Sequence, residues 1–157
     1  MNVYYCDAST YHNGKRGQDS FTLVLCPDGT EIREHIGNYS VNYAELHAIY
    51  QACDVAGNGD GIITDSQLAR NWIALPFKQT KNNTHLEPLI LDIKDIMSIK
   101  DLQIAWVSRV DNLAGQIFED EQKNLHDRKE LHITAEEGEP ISIVEHQSFR
   151  ESIQLVI

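Results

Sequence analysis

Residues 42–55, Asn42-Tyr43-Ala44-Glu45-Leu46-His47-Ala48-Ile49-Tyr50-Gln51-Ala52-Cys53-Asp54-Val55, break the rhythm of the chain before them. Ala44, His47, Ala48 and Ala52 recur at helical spacing, with Leu46, Ile49 and Tyr50 beside them. Upstream the pattern is that of strands. Residues 3–7 are rich in β formers, and 9–18 hold Asn13, Gly14 and Gly17 and read as a loop. Residues 20–26 read as a second strand. Pro27-Asp28-Gly29-Thr30 is a turn opened by Pro, with Gly at its third position. Residues 31–37 alternate as a third strand, so the first part of the chain predicts an antiparallel meander. Downstream, Gly57-Asn58-Gly59-Asp60-Gly61 stops the helix and 62–65 read as a short buried strand. Residues 66–75 form a second helix ended by Pro76, and 78–85 a polar loop. A third helix spans 89–99, with Leu89, Ile90, Ile93, Ile96 and Met97 inward. Residues 102–107 are a fifth strand, and 112 to about 131 a fourth helix. The order β-β-β-α-β-α-α-β-α predicts an α/β fold: a mixed five-stranded sheet with helices on both faces. One domain is expected over 1–131, with a C-terminal extension over 132–157 whose β-like pieces are 141–144 and 152–157.

The 157 residues suit one domain, and 41% apolar residues suffice for a core that needs no disulfide or metal staple. No run approaches a membrane span, and the N-terminus lacks the marks of a signal peptide. Cys6, Cys26 and Cys53 cannot all pair with one another and form no C-x-x-C, which predicts reduced thiols and a cytoplasmic protein. Thirteen basic against 24 acidic residues give a net charge of −11, which argues against gripping nucleic acid by bulk charge alone. The charge is uneven. Residues 1–88 hold 6 basic and 10 acidic side chains, and residues 89–157 hold 7 and 14. Much of the excess lies in 119–145, as expected of a solvated helix face and a polar connection.

Three acids fall at comparable places in this order. Asp7 closes the first strand, Glu45 lies in the first turn of the first helix, and Asp65 closes the fourth strand. Sites in α/β sheets form at strand ends and adjoining helix starts. Each acid alone has an ordinary structural explanation: a turn for Asp7, a helix N-terminus for Glu45, a cap on the second helix for Asp65. If strands one and four are neighbours, the three carboxylates converge. Carboxylates so placed repel unless they protonate or share a cation. An all-oxygen set favours Mg²⁺ or Mn²⁺ over Zn²⁺. Two such ions can activate a water and stabilise a leaving oxygen in phosphodiester cleavage.

The sequence resembles type 1 ribonuclease H. The resemblance rests on Tyr5-Cys6-Asp7-Ala8-Ser9, Asn42-Tyr43-Ala44-Glu45-Leu46-His47-Ala48 and Ile63-Thr64-Asp65-Ser66-Gln67-Leu68, continued by Arg70-Asn71. Trp106-Val107-Ser108-Arg109 followed by Asp111-Asn112-Leu113-Ala114 is similar to the family's last strand, loop and helix start. About residues 1–130 are covered. The resemblance implies the ribonuclease H-like fold and metal-dependent endonucleolytic hydrolysis of the RNA strand in RNA–DNA hybrids, with two Mg²⁺ or Mn²⁺ ions. It implies Asp7, Glu45 and Asp65 as catalytic metal ligands. The family's fourth acid starts the last helix in an A-D-x-x-A-like segment. The register preferred here puts Asn112 on that position, with Asp111 as the alternative one residue away. Residues 107–111 contain no His, so the role of the family's loop histidine is absent or reassigned.

The same resemblance implies substrate contacts by Asn13, Asn42 and Gln67, amides able to read 2′-hydroxyls and base edges, and by Arg70 and Asn71. Asn13 and Asn42 also fit plain turn chemistry. Lys15, Arg16, Arg70, Lys78, Lys81 and Arg109 offer a modest phosphate patch. Residues 54–65 have the look of a calcium loop, but Ala56 stands where a ligand is needed. The histidines are scattered without metal spacing, and neither Ser66 nor any cysteine has a nearby His partner. Trp72 and Trp106 are expected in the core. The rival readings are a nuclease of the same superfold that cuts DNA, such as a resolvase-like enzyme, and a catalytically lapsed domain that binds nucleic acid or a partner. A monomer or a tail-mediated dimer is expected, with no membrane association.

Overall fold

The structure, a computed structural model, describes residues 1–12 and 17–134, with 126–134 as helical backbone alone. Five strands, β1 (Val3–His12), β2 (Gln18–Leu25), β3 (Glu31–Gly37), β4 (Gly61–Thr64) and β5 (Gln103–Trp106), form one sheet in the order β3-β2-β1-β4-β5. β1–β2 and β2–β3 pair antiparallel, and β1–β4 and β4–β5 pair parallel. The helices are α1 (Val41–Val55), α2 (Gln67–Ala74), α3 (Glu87–Lys100) and α4 (Leu113–Thr134). The mixed sheet with helices on both faces is as expected.

β1 runs further than its sequence suggests. Ser9 to His12, expected in a loop, continue the strand by pairing with Phe21 to Gln18. These polar residues are competent in a ladder once a partner strand supplies the hydrogen bonds, and Thr10 and Ser20 add a hydroxyl pair at 2.8 Å. α4 reaches Thr134, so the domain edge expected at 131 falls within its last turn. Asn13, Lys15, Arg16 and the segments 141–144 and 152–157 lie outside the described residues.

Strand alternation separates two cores. Val24 of β2 faces the α1 side with Cys6, Leu46, Ile49, Ile62, Ile90 and Ile93, whereas Leu23 and Leu25 face α4 through Ala114 and Ile117. Burying one Ile of this kind contributes about 1.5–3 kcal/mol. α1 buries Ala44, Ala48 and Ala52, small residues that let the helix pack closely. Ser40 caps it, its Oγ accepting from the Tyr43 N–H at 3.2 Å. At the other end the Lys100 ammonium donates to the carbonyls of Cys53, Asp54 and Ala56 at 2.8–2.9 Å. The three cysteines are free and buried. No described helix is long and apolar enough to cross a membrane.

Candidate active site

The parallel register of β1 on β4 ends with Cys6 beside Thr64, so the residues that follow, Asp7 and Asp65, lie level where the pairing stops. Asp7, expected to close the first strand, sits in the middle of β1, which runs on to His12 along β2. Glu45 reaches them from α1. It is the fifth residue of that helix, one residue deeper than expected and so just past the first turn, because the helix starts at Val41 and Ser40 provides the cap. Asp65 does not cap α2 either. Ser66 does, its Oγ accepting from the Ala69 N–H at 3.2 Å. That leaves the Asp65 carboxylate free to turn toward Asp7.

One carboxylate oxygen from each of Asp7, Glu45 and Asp65 lies within 4.8 Å of the others. Asp7 and Glu45 are buried, and Asp7 Oδ2, Glu45 Oε2 and Asp65 Oδ2 have no hydrogen-bond partner. Burial, and then the charge of Asp65, push the Asp7 carboxyl up to about 7. Burial, followed by Asp7 and Asp65, raises Glu45 well above the usual carboxylate range. An orphaned buried carboxylate is costly unless a cation or proton joins it. Three carboxylates brought this close, each with a buried oxygen left unpartnered, supply the donor set of a hard divalent cation, and the residues present fit such an ion.

Asn112 is placed otherwise than as a freely pointing ligand. It is fully buried just before α4, where its Nδ2 donates to the Cys6 carbonyl at 3.0 Å and its Oδ1 accepts from the Ala114 N–H at 3.1 Å. Asp111 ends a short 3-10 turn over Arg109–Asp111, is exposed, accepts from the Ser108 hydroxyl at 3.0 Å and does not join the carboxylate group. The α4 residue that faces the acids is Gly115. A Cβ there would lie 3.2 Å from Asp7 Oδ2 and 3.4 Å from Asp65 Oδ2. Sequence reasoning passed over Gly115, although a glycine inside a helical pattern signals a packing or functional constraint.

Trp106 also departs from expectation. It is 44% exposed rather than core, and its indole N–H donates to the Asp65 carbonyl at 3.0 Å. Trp72 sits at the core margin, edge-on to Phe77. Together with Asn42, Ser40, Leu68, Lys78 and His85 it lines a groove of about 580 Å³. Gln67 is exposed at the first position of α2, and Arg70 donates to the Asn71 side chain at 3.1 Å. Arg109 donates to Glu119 at 2.9 Å, and its positive charge pulls the Asp7 carboxyl down against the effect of burial.

The RNase H family model matches residues 1–122. The chain belongs to the RNase H family. Among solved structures, this RNase H is similar in fold to the N-terminal RNase H domain of Rv2228c from Mycobacterium tuberculosis, solved as a fusion with maltose-binding protein. The TM-score is 0.56 at 20% identity, over 71% of this chain and 84% of that one. It is likewise similar to RNase H1 from the halophilic archaeon Halobacterium salinarum NRC-1, with a TM-score of 0.58 at 21% identity, over 72% of this chain and 89% of that one. At these identities the likeness concerns the fold. No curated protein matches the chain. The Asp7–Glu45–Asp65 group of this RNase H lies where its central parallel strand pair ends.

Proposed function

We propose that this RNase H is an endonuclease that hydrolyses the RNA strand of RNA–DNA hybrids, with Asp7, Glu45 and Asp65 as the groups that hold two Mg²⁺ or Mn²⁺ ions. The observation that carries this reading is the cluster of three carboxylates, one oxygen of each within 4.8 Å of the others and each residue keeping a buried oxygen without a partner. Bound divalent ions would neutralise the cluster, activate a water and stabilise the oxygen that leaves phosphorus. The chain's own part is to hold the carboxylates in place. β1 and β4 fix Asp7 and Asp65 through their register, and α1 fixes Glu45 through its packing on the sheet. Burial keeps bulk water from screening their charge.

Asn42, on the groove near the start of α1, and Gln67, exposed at the first position of α2, supply amides of the kind that read 2′-hydroxyls. Arg70 and Asn71 extend that side, and Asn13 belongs to the same proposed contact set. Lys78 on the groove and Arg109 near the acids supply positive charge for phosphates in a chain whose net charge is −11. Hybrid binding is therefore expected to weaken steeply with salt. The free thiols suit a reducing, cytoplasmic setting.

The test is cleavage of an end-labelled RNA–DNA hybrid in Mg²⁺ and in Mn²⁺, beside matched DNA and RNA duplexes, with Asp65→Asn as control. Cuts confined to the RNA strand of the hybrid and lost in Asp65→Asn are expected. Cleavage of the DNA duplex instead would make the enzyme a DNA nuclease of the same fold. Hybrid binding without cleavage in either metal would make it a lapsed binding domain.

A further inference from the structure

Among the largest fully buried side chains of the described residues, Asn112 is the polar one. Both ends of its amide are engaged with backbone. Nδ2 holds the carbonyl of Cys6, the residue immediately before Asp7, and Oδ1 holds the N–H of Ala114, the residue immediately before Gly115. One side chain thus ties the peptide leading into Asp7 to the peptide leading into Gly115. Along this tie the bare Cα of Gly115 lets the first turn of α4 rest against the unpartnered oxygens of Asp7 and Asp65. We propose that Asn112 is a positioning residue that docks α4 on β1 beside Asp7 and so fixes Asp7 within the carboxylate cluster, and that it does not itself hold an ion. This rests on the reading of Asp7, Glu45 and Asp65 as the cation-holding groups.

The chemistry of the tie separates it from a ligand role. In Asn112→Asp, an ionised carboxylate keeps the acceptor for Ala114 but loses the donor for Cys6, and sets a negative oxygen against a carbonyl. If position 112 holds an ion, that carboxylate adds charge and tightens metal binding. If position 112 is a tie, the same substitution must loosen the cluster. In Asn112→Ser the hydroxyl retains an acceptor for the helix start, while the shorter side chain gives up the reach to Cys6.

The experiment is a Mn²⁺ titration of the full chain followed by electron paramagnetic resonance, at a temperature where circular dichroism shows every variant folded. It is paired with kcat and KM on the labelled hybrid. Asn112→Asp and Asn112→Ser are each expected to weaken Mn²⁺ binding by about tenfold, the scale seen when groups supporting metal ligands are removed. For Asn112→Ser, kcat should fall while KM for the hybrid holds. Tighter Mn²⁺ binding by Asn112→Asp, or wild-type Mn²⁺ affinity in Asn112→Ser, overturns the proposal. Should Asn112→Asp fail to fold, Asn112→Ser, which gives up the bond to Cys6, carries the test. Weaker Mn²⁺ binding supports the proposal, and unchanged binding overturns it. Failure of the underlying reading looks different: the wild type binds no Mn²⁺, or Asp65→Asn binds it as the wild type does.

Discussion

Asp60 and Asp65 bracket β4, one just before Gly61 and the other just after Thr64, and the fold treats them in opposite ways. The buried Asp60 carboxylate accepts from the Asn2 N–H at 3.0 Å through Oδ1 and from the Gly57 N–H at 2.8 Å through Oδ2. It fastens the N-terminus and the α1–β4 turn. Nearby Lys100 pins the end of α1, and its own carbonyl accepts from the Gly59 N–H at 2.8 Å. At the other end of the strand, Asp65 shares its space with Asp7 and Glu45, and each keeps an oxygen without a partner. Burial of an acid therefore does not mark function in this molecule. What separates the two ends is whether the backbone has already satisfied the charge. A buried carboxylate with two N–H donors is complete, and three that face one another are complete only with a cation.

The sharpest way to break this comparison is to remove charge at each end. Asp7→Asn, Glu45→Gln and Asp65→Asn are each expected to lower kcat on hybrid by about 10³-fold or more, since cation-mediated charge stabilisation supplies several kcal/mol. In metal-free buffer the same variants should melt no lower than the wild type, because repulsion is relieved. Any one of them cleaving in Mg²⁺ at near wild-type rate would take that residue out of the site. Asp60→Ala should do the reverse. It removes two hydrogen bonds to a buried carboxylate and should cost about 1–3 kcal/mol in urea unfolding, with kcat per folded molecule unchanged. A large loss of kcat in folded Asp60→Ala would erase the distinction between the two ends.

A smaller effect follows from proton linkage. The Asp7 carboxyl titrates at about 7 in the folded, metal-free protein and at about 4 in the unfolded chain. Between those values the native state holds more protons than the unfolded state, so stability falls as pH rises through that window, and the raised Glu45 acts in the same direction. Thermal melts of the metal-free wild type should drop from pH 4 to pH 7 relative to Asp7→Asn. Parallel curves for the two proteins would contradict the account of crowded, cation-seeking carboxylates. The smallest effect is expected at Trp106, whose indole N–H holds the Asp65 carbonyl. Trp106→Phe keeps a ring but loses that bond, worth roughly 0.5–1.5 kcal/mol. A several-fold lower kcat with little change in melting is expected. Full activity would mean that the Asp65 backbone needs no such support.

Much of this was legible in the chain. Glu31–Gly37 carries its alternation openly, and α1 and α3 declare themselves by helical periodicity and by their caps or stops. Asp7, Glu45 and Asp65 stood out as acids in or beside readable strands and a readable helix, although β1 runs past Asp7 to His12 and Glu45 lies just beyond the first turn of α1. Less legible was anything set by pairing across distance. Ser9 to His12 look like a loop until β2 completes their ladder. Trp106 reads as core from its hydrophobicity, yet β5 is the sheet's edge, and an edge strand leaves a ring half in solvent.

Asn112 and Gly115 mark the same boundary most closely. The sequence by itself determined the order of elements, the mixed sheet and the three acids, because these follow from local periodicity, turn chemistry and residue type. It could place an amide and a glycine at the head of the last helix but not say which way either faced. The tertiary structure decided that. Only when α4 docks across β1 does the Asn112 amide meet the Cys6 carbonyl, and only then does the missing side chain of Gly115 open onto Asp7 and Asp65. Hydrogen bonds spanning 106 positions of sequence leave no local pattern, since their partners are brought together by the packing of two cores rather than by the spacing of neighbours.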